Sequence, residues 1–250
     1  MYLNRPVLST RQNEQFKEIQ ERRIQGEPLQ YILGECEFMG ITLKTDPRVL
    51  IPRPETELLV EKILNQMKNF SVGDEDLYGL DIGTGSGNIP IALLKHNPHW
   101  RMISIDISKD ALDLAQENAV RNNVLSRIDF INCDVFNWLN ERNAYLRQFS
   151  LIVSNPPYIK TASLADLPND VRKEPQAALN GGDDGLLFYK HIIANAQYLL
   201  KPGGWLFFEI GETQGKSLEN LLTWQGSFVN ILTSQDFNQR DRIITAQFEG

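Results

Sequence analysis

From residue 77 onward the sequence alternates between short apolar runs and amphipathic stretches, and this alternation constrains the fold more than any other feature. Runs over 77–82, 101–105, 128–132, 151–154, 205–210, 228–232 and 242–248 read as strands. Between them, 88–96, 109–122, 186–200 and 214–224 read as helices. Ser108 is placed to cap the second of these, whose Ala111, Leu112, Ala115 and Ala119 share one face. Such alternation predicts an α/β fold, a mostly parallel seven-stranded sheet with helices on both faces.

Residues 1–34 differ in texture and read as a short N-terminal helical segment. Thr10 is placed to cap a helix with a thin stripe of Phe16, Ile19 and Ile24, which Gly26-Glu27-Pro28 ends. Residues 35–76 read as connecting strands and a helix. Phe38, Ile41 and Leu43 precede Val49-Leu50-Ile51, and a helix follows from Glu55 to Met67 with Leu58, Leu59, Ile63 and Leu64 on one side. Asp74-Glu75-Asp76 is a polar break, and residues 77–250 form the main domain.

A chain of 250 residues has room for one large core. Its net charge of −7 argues against direct nucleic-acid binding, which needs clustered Lys and Arg. The two cysteines, Cys36 and Cys133, suggest neither a disulfide framework nor a zinc site, and no metal is expected. The first residues lack the apolar core of a signal peptide, and no run approaches the ~20 apolar residues of a membrane span. A cytoplasmic protein without membrane contact is the expectation.

Asp81-Ile82-Gly83-Thr84-Gly85-Ser86-Gly87 leaves the first main strand and enters a helix. Glycines there permit a tight turn and let a ligand approach the free N–H groups of a helix N-terminus. A dinucleotide fingerprint needs glycine where Asn88 stands. The D-x-G-x-G-x-G pattern instead resembles the S-adenosylmethionine loop of Rossmann-like methyltransferases. Asp106 ends the next strand, where a carboxylate is placed to accept both ribose hydroxyls. The alternative is an ordinary strand-to-helix turn with a surface acid. Gly211 to Ser217 imitates a phosphate loop, but three residues rather than four separate its glycines, so triphosphate hydrolysis is not expected.

Asn155-Pro156-Pro157-Tyr158 follows a strand at its carboxyl end, the edge where open α/β sheets bind ligands. An amide or ring amino nitrogen has a delocalised lone pair and is a poor nucleophile. The Asn155 side-chain oxygen and the Pro156 carbonyl are suited to accept one N–H each, which fixes that nitrogen and raises its electron density. Two prolines pre-set the loop, and the Tyr158 ring offers a flat face to the substrate group. Rate would come from positioning and electrostatics rather than a strong base. A merely structural turn is the alternative.

Further segments complete a pattern that resembles the HemK/PrmC family. They are Arg22-Arg23-x-x-Gly26-Glu27-Pro28, Tyr31-Ile32-Leu33-Gly34, Ile51-Pro52-Arg53-Pro54-Glu55-Thr56-Glu57, Glu174-Pro175 with Ala178-Leu179, Gly181-Gly182-x-Asp184-Gly185-Leu186 and Glu209-Ile210-Gly211. The resemblance implies a class I Rossmann-like methyltransferase fold. It implies methyl transfer from S-adenosyl-L-methionine to the glutamine amide nitrogen in the Gly-Gly-Gln motif of peptide chain release factors, with S-adenosyl-L-homocysteine as product. By the same resemblance, Gly83, Thr84, Gly85, Ser86, Gly87 and Asp106 bind the cofactor, with Asp134 and Val135 beside its adenine. Asn155, Pro156, Pro157 and Tyr158 hold the glutamine amide, with Asn155 close to both ligands. The family usually begins with several helices that grip the release factor, whereas about one is legible before Gly26, so weakened partner binding is expected. Arg53, Glu55 and Glu174 have no fixed role, and His96, His99 and His191 lie outside every motif.

Competing readings remain. A glutamine methyltransferase of a ribosomal protein shares Asn-Pro-Pro-Tyr, although the Ile51–Glu57 segment favours release factors. An adenine amino methyltransferase would show a basic recognition segment. A non-catalytic S-adenosylmethionine sensor would not need Asn155 to Tyr158.

Overall fold

The computed structural model describes residues 8–68, 77–140 and 145–250, so the break at Asp74-Glu75-Asp76 lies outside the described residues. A hairpin of β1 (Glu35–Phe38) and β2 (Ile41–Lys44) precedes the main sheet. That sheet contains β3 (Leu77–Ile82), β4 (Trp100–Asp106), β5 (Ile128–Asn132), β6 (Phe149–Ser154), β7 (Leu200–Glu209), β8 (Phe228–Gln235) and β9 (Asp241–Phe248). The spatial order is β5-β4-β3-β6-β7-β9-β8. Strands β3 to β7 are mutually parallel, and β9 runs antiparallel between β7 and β8. The expected class is therefore the observed one.

Helices cover both faces. The described residues place α1 (Thr10–Ile24), α2 (Leu29–Leu33), α3 (Pro54–Met67), α4 (Asn88–His96), α5 (Lys109–Arg121), α6 (Val135–Asn140), α7 (Leu187–Leu199) and α8 (Gly215–Gln225) along the chain. Leu59, Val60 and Ile63 of α3, the apolar residues of α4 and Ala119 of α5 pack one face of the sheet against Met102, Val153 and Phe207. Residues of α7 and α8 pack the other face against Leu80, Ile152 and Phe208. With both faces covered, β6 is buried along its whole length, which accounts for the apolar run Leu151-Ile152-Val153.

Local chemistry sets the boundaries. The α1 cap is Ser9 rather than Thr10: its Oγ accepts from Gln12 N at 3.3 Å, and Gln12 Oε1 accepts from Ser9 N at 2.9 Å. No residue of α1 is buried. Pro54 opens α3, where its missing N–H costs nothing, and Glu55 and Glu57 favour the same helix end. Two short helices escape periodicity, α2 with five residues and α6 with six.

The chain progresses outward from β3 in one direction through β4 and β5, then returns to the other side with β6 and β7. This reversal opens a crevice at the carboxyl ends of β3, β4 and β6. The hairpin is tied to its rim through Asn118 of α5. That side chain accepts from Lys44 N at 2.7 Å and donates to Ser86 O at 2.9 Å and Lys44 O at 3.0 Å.

Candidate active site

A cleft of about 480 Å³ occupies the crevice, a volume that suits a cofactor-sized ligand. Its floor is the glycine loop, one wall is Asp106 with the start of α6, and the opposite wall begins at Asn155. Residues 48–53 and 175–178 close over it.

Gly83, Gly85 and Gly87 have φ of +76°, +53° and +78°, a region open to glycine and strained for other residues. A Cβ at Gly83 or Gly85 would meet nothing within 4 Å, so packing does not demand these glycines. What they leave free is the floor of the cleft. Gly87 differs. It does not line the cleft, and a Cβ there would come within 3.2 Å of Ala115 Cβ, so this glycine serves the α4–α5 contact.

Asp106 Oδ2 accepts from Gly85 N and Oδ1 from Ser108 N, both at 2.9 Å. These bonds brace the loop, and the carboxylate lines the cleft. Burial pushes its pKa up, opposed by those backbone donors. Beneath the loop the Asp81 carboxylate is fully buried, with the Thr84 hydroxyl as its polar neighbour. Desolvation pushes Asp81 up to about 7.

Asp134 and Val135 line the wall beyond Asp106, next to Phe136. Asp134 Oδ1 also accepts from Phe136 N at 2.9 Å, starting α6. Asn155, Pro156 and Pro157 line the cleft as well, but Tyr158 does not. Tyr158 faces an adjoining recess of about 110 Å³, together with Arg53, Leu179 and Glu209. Asn155, Leu50, Arg53 and Ala178 border both cavities. Asn155 thus stands where the two spaces meet. Burial pushes the Tyr158 phenol up to about 12, so the ring stays neutral.

The residues from Leu179 to Gly185 strap the Asn155–Tyr158 loop from outside. Ile159 N donates to Leu179 O at 3.0 Å, and Gly181 N donates to Ile159 O at 2.8 Å. A Cβ on Gly181 would fall 2.7 Å from Pro157 O and Tyr158 Cα, and one on Gly185 would fall 2.5 Å from Tyr158 O. Gln214 completes the clamp. Its Nε2 donates to Tyr158 O at 3.2 Å and Gly185 O at 2.9 Å, while its Oε1 accepts from Gly211 N at 2.9 Å.

The roof of the cleft is held by Glu174, whose Oε2 accepts from Ile51 N and whose Oε1 pairs with Arg53. The Glu174-Pro175 motif is legible in sequence, but the ion pair with Arg53 that holds it here is not. Glu55 is absent from both linings. Among the described residues, no three His, Cys, Asp or Glu side chains gather as a metal-holding group. No helix among them is long and apolar enough to cross a membrane.

Comparison with known proteins agrees with this geometry. The methyltransferase domain family model matches residues 74–236, and the PrmC N-terminal domain model matches residues 1–34. The release factor glutamine methyltransferase of Thermodesulfovibrio yellowstonii is 40% identical over 248 residues, 99% of this chain and 86% of that protein. Its counterpart in Moorella thermoacetica is 39% identical, covering 98% of this chain and 86% of the other. Among solved structures, the hMettl16 catalytic domain bound to a MAT2A 3′UTR hairpin superposes with a TM-score of 0.65 at 16% identity, over 85% of this chain and 77% of that one. The human methyltransferase 10 domain containing protein gives 0.61 at 18% identity, over 94% and 98%. At such identities these two likenesses establish the class I Rossmann-like methyltransferase fold alone. The near-complete alignment with the bacterial relatives goes further: this chain belongs to the release factor glutamine methyltransferase family.

Proposed function

We propose that this enzyme methylates the side-chain amide nitrogen of the glutamine in the Gly-Gly-Gln motif of a peptide chain release factor. The observation that carries the proposal is Asn155, set between the cofactor-sized cleft and the smaller recess. Its setting is the cytoplasm, with a protein rather than a nucleic acid as partner, in keeping with the net charge of −7.

The residues of the cleft fit S-adenosylmethionine. The side-chain-free cradle at Gly83 and Gly85 and the cleft-facing Asp106 carboxylate are what such a ligand needs. Asp106 would hold the ribose hydroxyls, Asp134 and Val135 the adenine, and the open face of Gly83 to Ser86 the body of the molecule. When bound, this cofactor supplies an electrophilic methyl group on a sulfonium.

The protein's own part is orientation. Asn155 Oδ1 receives no donor from the protein among the described residues, whereas its Nδ2 donates to Thr56. That oxygen accepts one N–H of the glutamine amide, and the Pro156 carbonyl accepts the other. With both hydrogens held, the nitrogen lone pair is turned toward the cleft in line for transfer. Two polarised N–H bonds raise the electron density on nitrogen, and the acceptors are set before the substrate arrives. The Tyr158 ring packs against the flat amide in the recess. Arg53 and the 175–178 segment line the same cleft.

The test is direct. The protein is incubated with methyl-labelled S-adenosylmethionine and, in separate vessels, with release factor, ribosomal proteins or DNA. Label on the Gly-Gly-Gln glutamine is the expected result. Label confined to ribosomal protein or to adenine overturns the substrate assignment.

A further inference from the structure

One buried acid takes no part in the steps above. Glu209 ends β7 and is only 1% exposed. Its Oε2 accepts the Thr56 hydroxyl at 2.6 Å, and Thr56 Oγ1 accepts Asn155 Nδ2 at 3.2 Å. A hydroxyl carries a single proton. Once that proton is committed to the carboxylate, Thr56 presents only a lone pair to Asn155. Only the NH2 end of the amide satisfies a lone pair, so the oxygen end must point away, toward the two cavities.

We propose that Glu209 is a positioning residue, acting through Thr56 to select the amide orientation in which Asn155 offers its oxygen to the substrate nitrogen. This rests on the reading that Asn155 accepts a substrate N–H. An asparagine left to itself can turn either end toward the cleft, because the two ends have nearly the same shape. The wrong end would place a donor against the amide hydrogens and repel them. An ionised carboxylate is costly to enclose, and its neighbours show what maintains it here. From α3 it faces Thr56 and Glu55, and from the loop after β6 it faces Tyr158 and Asn155, whose NH2 also reaches the carboxylate directly and so meets the same demand on its orientation. Arg242 of β9 contributes the favourable charge, while the Tyr189 hydroxyl of α7 donates to the Glu209 backbone carbonyl at 2.8 Å.

Protonation erases the selection. With a proton of its own, Glu209 can donate to Thr56, which frees the Thr56 hydroxyl to donate to Asn155 Oδ1. Both amide orientations then become compatible. Burial pushes Glu209 up to about 7, against the pull of Thr56 and Arg242, so this exchange falls within reach of ordinary assay conditions.

The experiment is a double-mutant cycle on the full-length enzyme, read by single-turnover methylation of release factor. The variants are Thr56→Val, Thr56→Ser, Asn155→Ala and Thr56→Val/Asn155→Ala. Thermal unfolding and cofactor calorimetry on each preparation establish that it is folded and loaded. Thr56→Val is expected to lose roughly 10- to 100-fold in rate, the range for a misplaced reacting group, with unchanged cofactor affinity. Thr56→Ser should restore most of the rate, and Thr56→Val should add nothing in the Asn155→Ala background. The wild-type rate should fall as pH drops through about 7, whereas the Thr56→Val rate should lack that step. A slow Asn155→Ala beside a normal, folded Thr56→Val overturns the relay and leaves the role of Asn155 standing. A normal rate for Asn155→Ala overturns that role and the relay with it.

Discussion

Arg53 donates from its guanidinium to the buried Glu174 carboxylate, joining two segments 121 positions apart in sequence over the mouth of the cleft. The Arg53 side chain is 32% exposed and that of Glu174 only 2%, so the acid depends on this partner more than the base does. Arg53→Ala leaves the carboxylate with only the Ile51 N–H. A loss of about 1.5–3 kcal/mol in unfolding free energy is expected, the range for a hydrogen bond to a charged group. Glu174→Gln should lose less, because its one carbonyl oxygen still accepts from one of the two donors and no buried charge is left unpaired. Denaturant titration of the two variants checks the order, and equal stability of Arg53→Ala and wild type would refute it.

Asp106 carries two duties, so its variants should separate. Asp106→Ala removes the proposed ribose acceptor and also releases Gly85 N and Ser108 N. Cofactor affinity should fall about 10- to 150-fold, equivalent to roughly 1.5–3 kcal/mol. Asp106→Asn keeps one acceptor and should fall less. Isothermal calorimetry with S-adenosylhomocysteine measures both, and unchanged affinity in Asp106→Ala removes this residue from the cofactor site.

At Asn155, Ala substitution should cost turnover about 100- to 1000-fold, the effect of losing one preorganised polar contact to a reacting group. Asn155→Asp keeps an acceptor yet loses the donor to Thr56 and sets a second carboxylate near Glu209. Cofactor binding should survive in it while turnover falls. Tyr158→Phe should be mild and Tyr158→Ala severe, since the proposed contact uses the ring face. Variants that are destabilised but fully active per folded molecule would make the loop a structural turn only.

The ligand-free enzyme should lose stability as pH rises. Asp81 is held up to about 7 from an ordinary value of 3.8, so between those values the unfolded chain has released a proton that the folded one retains. The unfolded state then binds fewer protons, and stability falls with rising pH until the folded group also ionises. Glu209, raised from 4.5 to about 7, acts in the same sense. Asp81→Asn should flatten the dependence and raise the melting temperature above pH 7. A melting temperature independent of pH across this window would contradict the assignment.

Gly185→Ala tests the strap. Its φ of +74° and a Cβ 2.5 Å from Tyr158 O combine backbone strain with a backbone clash. A cost of about 1–3 kcal/mol is expected from strain of this kind, together with slower turnover as the Asn155–Tyr158 loop shifts. Stability equal to wild type would show that the strap yields without moving the loop.

The parts of this molecule that were legible in sequence are those governed by local rules. The bounds of β3 and α4 follow from apolar period and the flanking Gly83 and Gly87, those of β5 from its apolar run, and Ser108 caps α5 as its position suggests. The cleft-lining character of Gly83, Gly85, Asp106 and Asn155 was legible because each sits at the carboxyl end of a strand. What stayed hidden depends on pairings distant in sequence. Nothing near Glu209 or Thr56 indicates that they meet, since α3 and β7 approach only after the sheet has formed. Asn118 reads as one more polar residue of a surface helix, yet it is fully buried between a hairpin and the glycine loop. Gly181 and Gly185 read as turn formers, but their lack of a side chain admits the backbone of Tyr158.

The insertion of β9 between β7 and β8 imposes an order on how the enzyme matures as it is synthesised. Residues up to Ser154 already bring together β3, β4, β5 and β6, and with them the floor of the cleft. Glu209 gains its lateral partner only when Ile243 pairs with it, and β8 has no neighbour until β9 exists. Along the chain, the strands carrying Gly83, Asp106 and Asn155 are therefore complete before the strand that flanks Glu209. The proposed orienting contact of Glu209 thus depends on a terminal hairpin, β8 and β9, which closes the sheet from its far side.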